Sequence, residues 1–203
     1  YVLSRLAQMG YTAAEAATYE NGLFSGLKPA EFKKEVEDAG LKLISSHATR
    51  PLTKDELSSG DYTKALEWWD ECIAAHKEAG IPRLVMSWAP GLKSVAEFKV
   101  MAAYLDEVGK MCNDAGIRFG YHNHNQEFAK VEGITMMDYI MENTRPENVF
   151  FEMDVYWAVV GGVSPVEYMK KYPGRFEVIH IKDKNELGQS GMVGFDAIFN
   201  NFS

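Results

Sequence analysis

Cysteine is scarce in this 203-residue chain: Cys72 and Cys112 are its two thiols, and neither sits in a CxxC or Cys-to-His spacing that would read as zinc or redox chemistry. Each falls inside a helical pattern, so both are expected to be buried apolar thiols in a reducing compartment. The cytoplasm is the expected location, or the periplasm if a signal peptide has been removed. No apolar run approaches the roughly 20 residues that cross a bilayer, and the N-terminus lacks a basic-then-apolar leader, so no membrane partner is expected. Basic residues are outnumbered, 21 Lys and Arg against 29 Asp and Glu, and the net charge of −8 excludes the electrostatic footprint of a nucleic-acid partner. Glycine-rich phosphate cradles, GxGxxG or GxxxxGK[ST], are absent, which deprives a doubly wound nucleotide-binding sheet of its chemical signature.

What is present is an alternation of short β-branched runs with longer amphipathic stretches. Helices are predicted over 1–9, 29–39, 62–79 (capped by Asp61), 94–115, 135–143 and 165–171, with a last helical turn at 195–201. Strands are predicted over 11–17, 41–47, 83–88, 118–122, 149–155 and 176–181. Gly10, Gly40, Gly80 and Gly116 each close a helix just before a strand, the signature of a shared αβ joint. Alternating strands and helices imply parallel βαβ units. Polar residues stand at or just past the predicted strand ends: Glu15, His47, Trp88, His122 and His124, Asp154, then His180 and Lys182. For side chains from six strands to converge, the sheet must close, which selects an α/β (β/α)8 barrel over an open sheet. Six strands are two short of eight, so the whole chain, 1–203, is read as a single barrel domain lacking its first and last strands. Those strands are placed before Tyr1 and after Ser203.

Three clusters carry the candidate chemistry. In Tyr121–Phe128 (YHNHNQEF), His122 and His124 alternate together and Glu127 follows in the loop; histidines hydrogen-bonded within that loop are the alternative. In Phe150–Trp157 (FFEMDVYW), Asp154 ends an apolar strand where a carboxylate needs a cation or several donors. Glu152 lies deeper on the same face, as a structural ion pair or a site residue. In Val178–Lys184 (VIHIKDK), His180 and Lys182 share one face; His180 is either a core residue satisfied by one hydrogen bond or a metal ligand, beside which Lys182 would suit an anionic or enolate oxygen. Glu127, Asp154 and His180 together make a hard-to-borderline ligand set for Mn²⁺, Mg²⁺, Co²⁺ or Zn²⁺. Trp68 and Trp69 sit mid-helix and are expected in the core, whereas Trp88 and Trp157 lie where a flat ring can stack on a sugar.

The motifs YHNHNQEF, DVYWAVVGG, YPGRFEVIHIKDK and GQSGMVGFDAIF resemble the sugar phosphate isomerase/epimerase family, the xylose isomerase-like TIM barrels. The resemblance implies a divalent metal held by Glu127, Asp154 and His180, with a final glutamate beyond Ser203. It places Glu15 and His47 at the substrate pocket, which Trp88, His122, His124 and Trp157 are expected to share. Ketose 3-epimerases carry a histidine three residues after the metal-binding aspartate, where this chain has Trp157. The expected activity is isomerisation or epimerisation of a keto-sugar or related polyol through an enediolate. Glu127 or the fourth ligand would take the proton, and Lys182 would steady the enediolate oxygen. A keto-sugar or keto-glycoside lyase or dehydratase on the same site is the alternative, and a non-catalytic sugar-binding barrel is a further one. Metal-dependent AP endonucleases share the barrel, but the acidic balance argues against that chemistry. The expected partner is a small carbohydrate, with self-association into a homo-oligomer allowed.

Overall fold

In the computed structural model, described over residues 2–182, six parallel strands form one sheet. They are β1 (Ala13–Ala16), β2 (Lys42–His47), β3 (Arg83–Met86), β4 (Arg118–His122), β5 (Val149–Asp154) and β6 (Phe176–His180), and their spatial order is their chain order. Helix α1 (Val2–Gln8) precedes β1, and α2 (Pro29–Asp38) joins β1 to β2. Helices α3 (Lys54–Ser59) and α4 (Thr63–Ala79) join β2 to β3, and α5 (Val95–Asp114) joins β3 to β4. Helix α6 (Met136–Glu142) lies between β4 and β5, and α7 (Val155–Val160) and α8 (Pro165–Lys171) lie between β5 and β6. The predicted turn at 195–201, Asp183, Lys184 and the GQSGMVGFDAIF segment lie outside the described residues. No described helix is long and apolar enough to cross a membrane.

The sheet curls. Laid flat, five steps of about 4.8 Å would set β1 and β6 roughly 24 Å apart. Instead His180 Nε2 on β6 donates to Glu15 Oε1 on β1 at 2.8 Å. Alternation then gives each strand an outer and an inner face. On β5, Val149, Phe151 and Met153 enter the large core beneath the helices, while Phe150, Glu152 and Asp154 face inward. On β4, Phe119 and Tyr121 join that core, leaving Gly120 and His122 inside. A bulge in β6, between Phe176 and Val178, changes its phase. Phe176 packs outward on Phe151 (ring centroids 6.3 Å apart), and His180, four residues on, still faces the interior.

The interior is stacked in layers. At the N-terminal end Glu177 accepts from Arg118 at 2.6 Å and from Arg83 at 3.3 Å, binding three strands together. Above it the Arg118 guanidinium lies 5.8 Å from the Phe150 ring, which fills the gap left at Gly120 on the paired strand. Glu152 comes next, then Asp154 at the C-terminal mouth.

Several local expectations are refined. Asp61 does not cap α4; Tyr62 holds that position, and the Asp61 carboxylate accepts from Thr63 N–H two residues along. Helix α3 was not anticipated, although Thr53 and Glu56 form the reciprocal capping box that could have announced it. Helix α7 begins directly at the end of β5, with the Asp154 side chain as its N-cap. At the four αβ joints Gly10, Gly40, Gly80 and Gly116 take φ between 69° and 96°, the left-handed region that makes glycine the residue of choice there.

Cys72 and Cys112 are both free and buried, and Trp69 is fully buried with its indole N–H donating to Tyr104. Beside Cys72, His76 is completely buried between Tyr19 and Phe24. Its Nδ1–H donates to the Cys72 carbonyl at 2.7 Å, while Nε2 has no hydrogen-bond partner among the described residues. Burial pushes its pKa down to about 4 against an ordinary 6.5. Above pH 6.5 neither folded nor unfolded chain protonates this ring. Between pH 6.5 and 4 the unfolded chain takes a proton that the fold excludes, so stability falls as pH falls. The expected loss is about 3 kcal/mol by pH 4. Urea midpoints at several pH values, compared with those of His76→Phe, check it; an unchanged pH slope in the variant would refute this assignment.

Candidate metal and substrate site

The strand ends at the mouth gather four imidazoles and three carboxylates. Glu152, wholly buried, is the hub: its Oε2 accepts from His47 Nε2 at 2.7 Å and from His122 Nδ1 at 2.8 Å. Its Oε1 lies 3.2 Å from His180 Nε2 and has no hydrogen-bond partner among the described residues. Glu15, hydrogen-bonded by Ser45 Oγ, accepts from His180 Nε2 and lies 3.2 Å from His47 Nε2. One donor atom from each of His47, His122, Glu152 and His180 falls within 4.8 Å of the others, a spacing that a metal ion could bridge but that hydrogen bonds from His47 and His122 to Glu152 already account for.

Asp154 stands one layer higher. Its Oδ1 accepts from Trp157 N–H at 3.0 Å, and its Oδ2 is 3.4 Å from Lys182 Nζ. The same Oδ2 is 3.7 Å from His122 Nε2 and 4.0 Å from His180 Nδ1, the far nitrogens of rings whose near nitrogens face Glu152 and Glu15. Buried Asn123 fixes this height. Its amide donates to the Asp154 carbonyl at 3.2 Å and accepts from Asp154 N–H at 3.0 Å. The side chain thereby carries the β4–β5 ladder one step beyond its last backbone pair, His122 with Glu152.

Charge follows geometry. Burial opposes ionisation of Glu152, but hydrogen bonds from His122 and His47 outweigh it and hold the carboxyl well below the usual range. Burial, with His47 and His180 as neighbours, lowers His122 despite the attraction of Glu152. His180 is raised: burial opposes, and Glu15, Glu152 and Asp154 prevail. His124 is driven to about 4 by burial and by His122, whose ring lies 5.0 Å away.

A cavity of about 580 Å³ opens over this cluster. Glu15, His47, His122, His124, His180 and Lys182 line it, with Trp88 and Trp157 supplying flat apolar surface. Trp88 is 43% exposed, and Trp157 packs at 5.2 Å on the His124 ring. Lys182 Nζ lies 5.7 Å from the ring centroids of both Tyr156 and Trp157.

Glu127 stands apart from these groups. Fully buried, it accepts from Tyr121 OH and from His124 N–H, each at 2.8 Å, and burial raises its pKa over the opposing hydrogen bonds. Of the expected ligand trio Glu127, Asp154 and His180, the four-residue cluster contains His180; Asp154 adjoins it, and Glu127 instead anchors the turn that carries His124. Sequence reasoning put His47 and His122 on the substrate side and left Glu152 undecided. Glu152 and Asp154 share a face in the sequence pattern; the further signal that could have joined His47 to them is the parity of Ser45 and His47, both of which turn inward.

A family model for the xylose isomerase-like TIM barrel matches residues 3–202. The chain belongs to that family. It is 36% identical to a sugar phosphate isomerase/epimerase from Parabacteroides distasonis ATCC 8503, whose crystal structure superposes with a TM-score of 0.82 over 98% of this chain and 77% of that one. Among curated relatives it is 28% identical to inosose dehydratase of Geobacillus kaustophilus over 195 residues, 90% of this chain. It spans 61% of that relative's length. An L-ribulose 3-epimerase structure, 17% identical with a TM-score of 0.68, shares the fold.

Proposed function

We propose that this xylose isomerase-like barrel is a divalent-metal-dependent enzyme that removes a proton next to the carbonyl of a keto-sugar or related keto-polyol. The observation that carries the reading is the convergence of His122, Asp154 and His180 beneath a tryptophan-walled mouth. The separations of 3.7 and 4.0 Å from Asp154 Oδ2 to the two imidazoles are too long for hydrogen bonds. They match neighbouring ligands around one ion, whose donors stand roughly 3–4 Å apart when each is about 2.1 Å from the metal. His122, Asp154 and His180 would hold the cation, with Glu152, Glu15 and His47 beneath them. When bound, it would polarise the substrate carbonyl and acidify the adjacent C–H.

The chain's own groups do the rest. Trp88 and Trp157 offer flat faces to the C–H surface of a sugar ring and narrow the access of water. Lys182 Nζ, with cavity on one side and Asp154 on the other, donates to the oxygen that gains negative charge as the enediolate forms. The His124 imidazole, which also lines the cavity, would take the proton from carbon, and buried Glu127 would support it by holding its backbone N–H.

Return of the proton to the opposite face gives an epimer, and its return to the neighbouring carbon gives an isomer. Loss of a β-hydroxyl gives a dehydratase outcome. The inosose dehydratase relatives favour that last course, as does Trp157, which leaves no second imidazole where ketose 3-epimerases have one. The test is solvent exchange: in D₂O, ketohexoses and an inosose are incubated with enzyme before and after chelation, and the α-carbon is followed by NMR. Deuterium uptake or water elimination that ceases on chelation and returns with Mn²⁺ or Co²⁺ is expected. Exchange surviving complete metal removal would refute the metal dependence.

A further inference from the structure

We propose that Glu152 and Glu15 are positioning residues that set the tautomers of His122 and His180, presenting His122 Nε2 and His180 Nδ1 to the mouth as bare acceptors. The inference rests on the cation reading above, but its evidence lies in the metal-free hydrogen-bond network. An ionised carboxylate only accepts, so each ring nitrogen bonded to one must carry the proton. His122 Nδ1 is 2.8 Å from Glu152 Oε2, and His180 Nε2 is 2.8 Å from Glu15 Oε1. A neutral imidazole has one N–H, so the far nitrogen of each ring is left with a lone pair. Those far nitrogens are the two that stand 3.7 and 4.0 Å from Asp154 Oδ2.

His47 makes the two carboxylates one device. Its Nε2–H lies 2.7 Å from Glu152 and 3.2 Å from Glu15, so neither acid can turn away without losing a shared donor. Glu152 is a poor candidate for a direct ligand, because its Oε2 already receives two N–H groups and Oε1 is enclosed beside His180 Nε2. Holding the remote nitrogen of a metal-binding histidine is a recognised use for a buried carboxylate, and its loss typically costs 10–100-fold in metal affinity.

The test uses ¹⁵N-histidine-labelled, metal-free protein at about pH 9, where imidazoles are neutral. Long-range ¹H–¹⁵N correlation spectra should show His122 protonated on Nδ1 and His180 on Nε2. Glu152→Gln should abolish the His122 preference, and Glu15→Gln that of His180. Each should weaken Co²⁺ binding, followed by calorimetry and visible absorption, by about 10–100-fold. A wild-type His122 protonated on Nε2, or full Co²⁺ affinity in Glu152→Gln, would overturn the proposal. Should Glu152→Gln not fold, the wild-type tautomers and Glu15→Gln decide it. Failure of the wild type to bind Co²⁺ would overturn the cation reading separately, because the tautomers are measured without metal.

Discussion

Replacing Lys182 with methionine is expected to lower kcat by about 10²–10³-fold, the usual effect of removing one donor aimed at a developing oxyanion. The stem is kept and the charge removed, so the apolar packing of Lys182 over Tyr156 and Trp157 is largely retained. Metal affinity should move the other way. Lys182 Nζ lies 3.4 Å from Asp154 Oδ2 and competes for the electron density that a cation would use. Co²⁺ should therefore bind Lys182→Met as tightly as wild type or more so. These opposed signs separate a catalytic lysine from a metal-supporting or structural one. Equal losses in affinity and kcat would refute the assignment, and so would a lower thermal midpoint with unchanged kcat. Steady-state kinetics with saturating metal, paired with calorimetry, provide both numbers.

The placement of Lys182 on the cavity beside His180 was legible because the two alternate together at the end of an apolar strand, and period-two arguments are strong where one face is buried. The same reasoning located the six strands of the described parallel sheet, since glycine joints and β-branched runs mark them locally, but not the two short hairpins at 19–24 and 130–135. Contacts between strands were harder to read. Nothing near Glu127 in the chain shows that Tyr121 OH and His124 N–H will satisfy its carboxylate, because that depends on a one-turn 3₁₀ helix at Gln126–Phe128 folding it back. Nor does Glu152 reveal locally that imidazoles from β2, β4 and β6 will meet it. Bulges caused the remaining difficulty. The shift at Ala14/Glu15 in β1 and that at Phe176–Val178 in β6 change the phase of strands whose sequences read as simple alternation. The contact of Glu15 with His180 follows from the curl of the six-stranded sheet, which brings its two end strands within side-chain reach.

The curl of the sheet also underlies the largest expected stability effect. Phe150→Ala should cost about 3–5 kcal/mol, the range for removing a fully buried aromatic ring. Phe150 is 1% exposed and lies apart from the outer core, so helices cannot collapse into the space it leaves. Its neighbours are the rigid ion cluster of Arg83, Arg118 and Glu177 below and the layer of Glu152 above. A void there would expose Glu152 Oε1 to water, and Co²⁺ affinity should weaken along with stability. Gly120 supplies the converse experiment. A Cβ at this position would stand 2.5 Å from two Phe150 ring atoms, so Gly120→Ala must displace the ring. Overpacking of that kind costs about 1–3 kcal/mol. Because the two residues share one volume, Gly120→Ala combined with Phe150→Leu should be less destabilised than the sum of the single changes. Urea unfolding of the four proteins measures that coupling, and strict additivity would show that Phe150 and Gly120 do not share one volume.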